Sequence, residues 1–232
     1  VLIPFSYQYK ENFTVTCSAY AMKNPKVQVR RKPRQSRAKL TQEALQESFV
    51  QLLHERHAHK ITIREITDVA GVGLGTFYEY FSKKEDLVAL TIHQHVKSNA
   101  EMLKSYAQSL IDLSTKLSFE DYLQQIIHFQ LEQIQAQQFL WAQTFLLERQ
   151  VSNIESYQKS YAMMVQMWHN ILEPYIDDAE QLQQLSLNVQ RVCYGFVSQT
   201  LLVEAEFREW EKLERDIVQS LNLNKSSFFK VK

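Results

Sequence analysis

Residues 62–87 read TIREITDVAGVGLGTFYEYFSKKEDL, and the fold is decided here. Thr62 with Glu65 three residues on is a capping box, opening a helix on which Ile66 and Val69 are expected to face inward. Gly71 ends that helix, because glycine tolerates the positive φ of a helix terminus. A second, short helix follows over Leu74–Tyr80. Ser82 with Glu85 repeats the capping-box pattern and is expected to open a longer helix through about Lys97. A helix of about nine residues, a glycine turn of three to four and a short second helix form a helix-turn-helix by spacing alone. Gly73 is tolerated in the turn. Gly75, at the start of the second helix, lets backbone come close to a phosphate where a helix N-terminus attracts anions. Thr76, Tyr78 and Tyr80 add hydroxyls to a helix short enough to lie in a major groove. Phe77 and Phe81, four apart, are expected to anchor it from another face.

Working outward, the pattern stays helical. Ser36 can cap a helix whose apolar face runs Leu45, Phe49, Leu52 and Leu53, lasting to about His57. Ser118 opens a helix to about Gln135, and another covers roughly Gln137–Gln150. Ser152 with Glu155 caps a further one ending near Pro174. A long helix, about Ala179–Phe207, precedes a last one, about Glu209–Leu221, in which Trp210, Leu213, Ile217 and Leu221 recur at helical spacing. The reading is all-α: an N-terminal three-helix helix-turn-helix unit over 36–82, then a larger helical bundle over 83–232. Residues 1–35 read as an unstructured basic extension, with Met22 a plausible natural beginning and 1–21 lying upstream of it.

Composition agrees. The 232 residues include 4 glycines and 4 prolines, where average usage of ~7% and ~5% gives about 16 and 12, so a turn-rich sandwich or barrel is excluded. Three of the four glycines, Gly71, Gly73 and Gly75, fall in the one turn. Apolar runs fall short of the ~18 residues a membrane helix needs. Cys17 and Cys193 form no metal or redox spacing, which suits a reducing cytosol. Net charge is zero, yet residues 1–100 carry 15 Lys+Arg against 9 Asp+Glu and residues 101–232 carry 11 against 17. From Lys23 to Lys39 there are eight basic residues and no acidic one. That division points to a nucleic-acid-facing part joined to one that is not, with the run either a solvated tail or an arm on DNA phosphates or in the minor groove.

The run T-x-R-E-I-x-x-x-A-G-V-x-x-G-T-x-Y-x-Y-F-x-x-K-E-x-L resembles the signature of the TetR/AcrR family of bacterial transcriptional regulators. The resemblance implies a homodimer whose recognition helices enter successive major grooves of a palindromic operator. It also implies a small effector in the C-terminal bundle that changes the spacing of those helices and releases DNA, as for a cytoplasmic repressor with no enzymatic activity. Carried over position by position, Thr76, Tyr78 and Tyr80 match phosphate- and base-contacting positions, Lys84 a phosphate-binding lysine at the start of the fourth helix, and Arg64 a position able to reach a base or phosphate. The turn departs from the family pattern at Gly73-Leu74, where a polar or basic pair is common. That removes a capping hydroxyl and leaves Leu74 for apolar contact, for instance with a thymine methyl. The family's glycine after the first helix is also missing, with His57 in that region.

In the bundle, Tyr161, Met164, Val165, Trp168 and Leu172 form one helical stripe, and Phe139, Trp141 and Phe145 cluster on the preceding helix. Core packing is one reading; an adaptable apolar cavity for a small apolar or aromatic ligand is the other. On the second reading Trp141, Phe145, Tyr161, Met164 and Trp168 line it, with His128 and His169 as polar handles. Leu185, Val189, Val192, Phe196 and Val197, with Ile217 and Leu221, form the candidate dimer face, or are consumed within the subunit. His54, His57, His59, His93 and His95 lack the spacing of a helical zinc pair and read as surface or helix-end residues, so no metal or cofactor is expected. An α-helical enzyme would need a nucleophile turn, P-loop or dinucleotide fingerprint, and the chain has none. The alternatives are a helical protein-interaction module, or a helical enzyme using the apolar cavity, with no DNA role.

Overall fold

A computed structural model describes residues 36–113 and 117–221, with side chains from Ala38 onward. The basic extension, Cys17 and the side chains of the basic run up to Arg37 lie outside the described residues. Nine α-helices occur among the described residues: α1 (Ser36–Glu55), α2 (Ile63–Val69), α3 (Leu74–Tyr80), α4 (Lys84–Ile111), α5 (Phe119–Ala136), α6 (Gln138–Val151), α7 (Ile154–Leu172), α8 (Ala179–Val203) and α9 (Trp210–Ser220). A single 3-10 turn, Ala58–Lys60, joins α1 to α2. No strand forms among the described residues.

Several helix boundaries differ from the sequence expectation, each for a local reason. Ser36 is the first residue of α1 rather than its cap. The cap of α4 is Lys83, not Ser82, and the helix runs past Lys97 to Ile111 because no glycine or proline interrupts it. Asn153 replaces Ser152 as the cap of α7, its Oδ1 accepting from the Ser156 amide at 2.8 Å. Helix α8 stops at Val203, where Glu204 turns to extended backbone (φ −134°, ψ 90°). Ser118 caps α5 as expected, accepting from the Asp121 amide.

Two apolar cores hold the helices. The smaller gathers Leu45, Phe49, Leu52 and Leu53 of α1, Ile61, Ile66 of α2, Phe77 and Tyr80 of α3, then Phe81 and the first part of α4. Leu140 and Leu147 of α6 complete it. The larger fills the bundle of α4 to α9 around Leu103, Tyr122, Leu123, Ile126 and Trp168. Burying a side chain of this size stabilises by about 1.5–3 kcal/mol, so these positions set the helix faces. The polar atoms taken inside are matched where the bundle is tightest. The Tyr122 hydroxyl donates to the Ile171 carbonyl at 2.9 Å, and Trp168 Nε1 donates to Gln190 Oε1 at 3.2 Å.

Two helices belong to both cores. On α4, Leu87, Val88 and Ile92 enter the small core while Ala100, Leu103, Ala107 and Leu110 enter the large one, and Val96 packs against both. On α6, Leu140, Leu147 and Val151 form a stripe toward α1, and Trp141 and Phe145 a second stripe toward the bundle. The stripes are offset by the ~100° that separates successive helical residues.

Candidate nucleic-acid interface and interior cavity

Local chemistry fixes the turn. At the start of α2 the capping box is complete: the Glu65 amide donates to Thr62 Oγ1 at 3.2 Å, and the Thr62 amide donates to Glu65 Oε2 at 2.8 Å. The Thr62 amide bond, the Thr62 hydroxyl donating to Glu65 Oε2 at 2.7 Å, and Arg56 Nη1 donating to Oε1 at 2.7 Å hold the Glu65 carboxyl below its ordinary range. At the other end Gly71 sits at φ +66°, in the left-handed region where a Cβ is strained. Gly73 and Gly75 have ordinary backbone, and a Cβ at either would meet nothing within 4 Å. Gly73 caps α3 without any side-chain hydrogen bond, as its lack of a hydroxyl requires.

Seven residues of α3 divide cleanly into two faces. Phe77 is fully buried and Tyr80 is 4% exposed, both facing α1 and α4, with Phe81 beneath them. Leu74 and Tyr78 are 47% and 42% exposed, Gly75 is open to solvent and Thr76 half-buried. Tyr80, matched above to a DNA-contacting position, is therefore a core residue. Side chains two apart on a helix cannot share a face, and the one that carries Phe77 also carries Tyr80. Val69 is the converse correction, 43% exposed rather than inward, because α2 turns Ile66 and Thr67 to the core. Arg64 projects exposed from α2 beside this surface.

Lys84 is the first residue of α4, and its ammonium donates to the carbonyls of Ala58 (2.9 Å) and Ile61 (2.8 Å). It closes the 3-10 turn that takes the place of a glycine at the end of α1. An ammonium has three donors, so one remains for a phosphate.

Inside the bundle, α4 to α8 leave a narrow cavity of about 50 Å³, room for only a few water-sized spheres of ~10–15 Å³ each. Trp141, Phe145, Tyr161 and Met164 line it, as the helical stripes suggested. Trp168 does not. It lies one turn deeper, wholly buried, and acts through its bond to Gln190, which does line the cavity. His128 is likewise not a lining residue: its ring faces Glu214 (2.8 Å) and Glu132 (3.4 Å) on the outside of α5, and those carboxylates raise its pKa. His169, one position past Trp168, points elsewhere and is also absent from the lining.

The sequence reading missed the polar corner of this cavity, formed by Glu148 and Tyr194, and also Asn99, another lining residue. Burial raises the Glu148 carboxyl above its ordinary range despite the Tyr194 hydroxyl, which donates to Oε2 at 2.6 Å, and the nearby Arg149 charge. The signal was present in the spacing of Trp141, Phe145 and Glu148, which puts a carboxylate on the inward stripe of α6.

The candidate dimer face is only partly available. Leu185, Val189, Val197, Ile217 and Leu221 are buried within the subunit, because α9 packs on α5 and α8 of the same chain. Val192 and Phe196 of α8 remain half-exposed, in line with the bare Val203 farther along the same helix. Among the histidines, His95 departs from the surface expectation. It lies half-buried with its ring 4.4 Å from that of Trp141, and burial pulls its pKa down to about 4. No cluster of His, Cys, Asp or Glu among the described residues could hold a metal ion. No described helix is long and apolar enough to cross a membrane.

A helix-turn-helix with an open second helix is carried on a helical bundle with an interior cavity. Residues 50–90 match the family model for bacterial regulatory proteins, tetR family. Solved structures share the fold across most of the chain. A TetR transcriptional regulator from Rhodococcus sp. RHA1 is 16% identical with a TM-score of 0.59, covering 83% of this chain and 99% of its own. FadR of Thermus thermophilus, a TetR-family transcriptional repressor solved with lauroyl-CoA, is 15% identical with a TM-score of 0.60 over 78% of this chain and 93% of its own. FadR of Bacillus subtilis, solved with stearoyl-CoA, is 19% identical with a TM-score of 0.56 over 77% and 96%. No curated protein matches the chain in sequence. The chain thus carries the helix-turn-helix and the fold of the TetR family of transcriptional regulators.

Proposed function

We propose that this protein is a ligand-responsive, sequence-specific transcriptional regulator: a homodimeric repressor released from a palindromic operator by a small effector with an apolar or aromatic body. The observation that carries the reading is the sharing of α4 and α6 between the two cores. Both helices line the cavity, through Val96 and Asn99 on α4 and through Trp141, Phe145 and Glu148 on α6. Both also pack into the small core that holds α3. A ligand larger than the present cavity must part them, and any shift of α4 or α6 is delivered to the DNA-facing unit. Only a ligand that binds the parted state better than the closed one moves the equilibrium, and the narrowness of the cavity supplies that difference.

The DNA-facing residues on this reading are Arg64, Gly73, Leu74, Gly75, Thr76, Tyr78 and the free donor of Lys84, while Tyr80 supports them from inside. Val192 and Phe196, with Val203, offer the remaining apolar surface for a two-fold contact along α8. The test is selection of an operator from randomised duplexes by the full chain, followed by gel-shift titration. Tyr78→Ala is expected to weaken binding by at least about tenfold, the scale of one lost base or phosphate contact, with thermal stability unchanged. Wild-type affinity should fall steeply between 50 and 200 mM salt, on the order of 10³-fold for a handful of phosphate contacts. Failure to select any sequence, or unchanged affinity in Tyr78→Ala, overturns the reading.

A further inference from the structure

The lining of the cavity holds a single charged side chain, and it is acidic. Glu148 is 7% exposed and Asn99 5% exposed, and Asn99 Oδ1 has no hydrogen-bond partner. The protein offers the Glu148 carboxylate a single phenol, Tyr194, although such a group has about four acceptor positions. Arg149, next in the chain, is turned to the outside, where Nη1 donates to the Phe145 carbonyl (2.8 Å) and Nη2 to Ser198 Oγ (3.3 Å). No lysine, arginine or histidine lines the cavity. Elsewhere the rings of Trp141, Phe145, Tyr157 and Tyr161 share the wall with aliphatic side chains and with the neutral polar groups of Gln130, Thr144, Ser160 and Gln190.

Building on the effector reading above, we infer that the cavity receives an organic cation, its charged nitrogen set against Glu148 and Asn99 and its apolar body held among the aromatic rings. A buried carboxylate whose nearest positive charge, Arg149, lies outside the cavity is only partly compensated, and completing that compensation from within is a source of binding energy no neutral ligand can tap. Burial already holds the carboxyl above its ordinary range, as expected of an acid lacking a full partner. Aromatic faces present the negative side of their quadrupole and attract a cation within about 6 Å. An anionic ligand meets the reverse: a repelling carboxylate and no base. The Arg149 guanidinium, 5.8 Å from the Tyr194 ring centroid, supplies part of the compensation from outside the cavity, leaving the inner side unmatched.

Three small probes of one shape separate the possibilities: phenyltrimethylammonium, tert-butylbenzene, which has the same outline without charge, and benzenesulfonate. Binding to the full chain is followed by calorimetry and by intrinsic tryptophan fluorescence, to which Trp141 contributes from the cavity wall. The cation is expected to bind at least about tenfold tighter than tert-butylbenzene, with benzenesulfonate weakest. Glu148→Gln, which keeps the shape and can still accept from Tyr194, should weaken the cation at least about tenfold and leave tert-butylbenzene within about twofold. Equal or tighter binding of tert-butylbenzene, no binding of the cation, or a Glu148→Gln protein with undiminished cation affinity each overturns the inference. The three-probe order in the wild-type chain is decisive even if the variant does not fold. Operator release is scored separately. Cation binding through Glu148 without loss of DNA affinity supports this inference and overturns the effector reading, whereas DNA release by tert-butylbenzene or benzenesulfonate alone does the opposite.

Discussion

Between Thr62 and Phe81 the backbone is directed by partners two to four residues away: a hydroxyl on an amide, a carboxylate returning the bond, a glycine at positive φ, and phenylalanines one helical turn apart. Around the interior cavity the shape comes from five helices that meet only after the chain has folded. Glu148 and Tyr194 are 46 residues apart in the hydrogen bond that defines the polar corner. Both regions present a surface to a ligand. The first takes its shape largely from near neighbours in sequence, while the second exists only because of the tertiary structure.

The most severe test of that contrast is Leu147→Ala. Leu147 lies in the bundle by sequence but in the small core by packing, so its truncation should cost about 2–5 kcal/mol. If α6 does complete the small core, hydrogen exchange will show protection lost in α1 together with α6; protection lost in the bundle alone would break the claim. Gly71→Ala comes next. With nothing near a new Cβ, the cost is backbone strain alone, about 1–2 kcal/mol in chemical denaturation. Gly73→Ala and Gly75→Ala, with ordinary φ, are expected to be neutral or stabilising by up to about 1 kcal/mol. Three equal costs would show that close packing rather than φ governs the turn.

His95 gives a pH test at the join of the two regions. Its pKa is lowered to about 4 from 6.5, so the unfolded chain binds the extra proton first. Stability is therefore whole above pH 6.5 and falls as pH drops toward 4, by on the order of 2 kcal/mol after allowance for partial exposure. His95→Leu should flatten that limb of the denaturation midpoint against pH. Thr62→Ala removes the capping box and should cost about 1 kcal/mol, confined to the helix-turn-helix. The smallest effect belongs to His128. Glu214 raises its pKa, so the tie between α5 and α9 is present below pH 6.5 and fades as pH rises through the raised value, a slight loss that Glu214→Gln should abolish.

The same contrast explains what could be read from the residues alone. The bounds of α3, the capping box of α2 and the role of Gly71 follow from near neighbours and were legible. Tyr80 was matched by its place in the family motif, whereas its position three after Phe77 turns its ring to the core. Ile217, Leu221 and Val189 formed a convincing apolar stripe, but a stripe does not say whether its partner is the same chain or another. Asn99 lies beyond the helix end expected near Lys97, whereas α4 runs through it and makes it part of the cavity lining. Trp141 and Phe145 were found from helical spacing; Glu148 was on the same stripe and went unread because a lone acid near a helix end is commonly solvated.

The double allegiance of α6 has a consequence for anyone wishing to rewire such a regulator. A chimera that grafts residues 36–82 onto another bundle, or this bundle onto another reading head, cuts the chain at one point but cuts the small core at two. Leu140, Leu147 and Val151 would travel with the bundle and arrive opposite an α1 they were not shaped for. The modular unit is therefore discontinuous in sequence, and a working exchange has to carry one face of α6 along with the head that it closes.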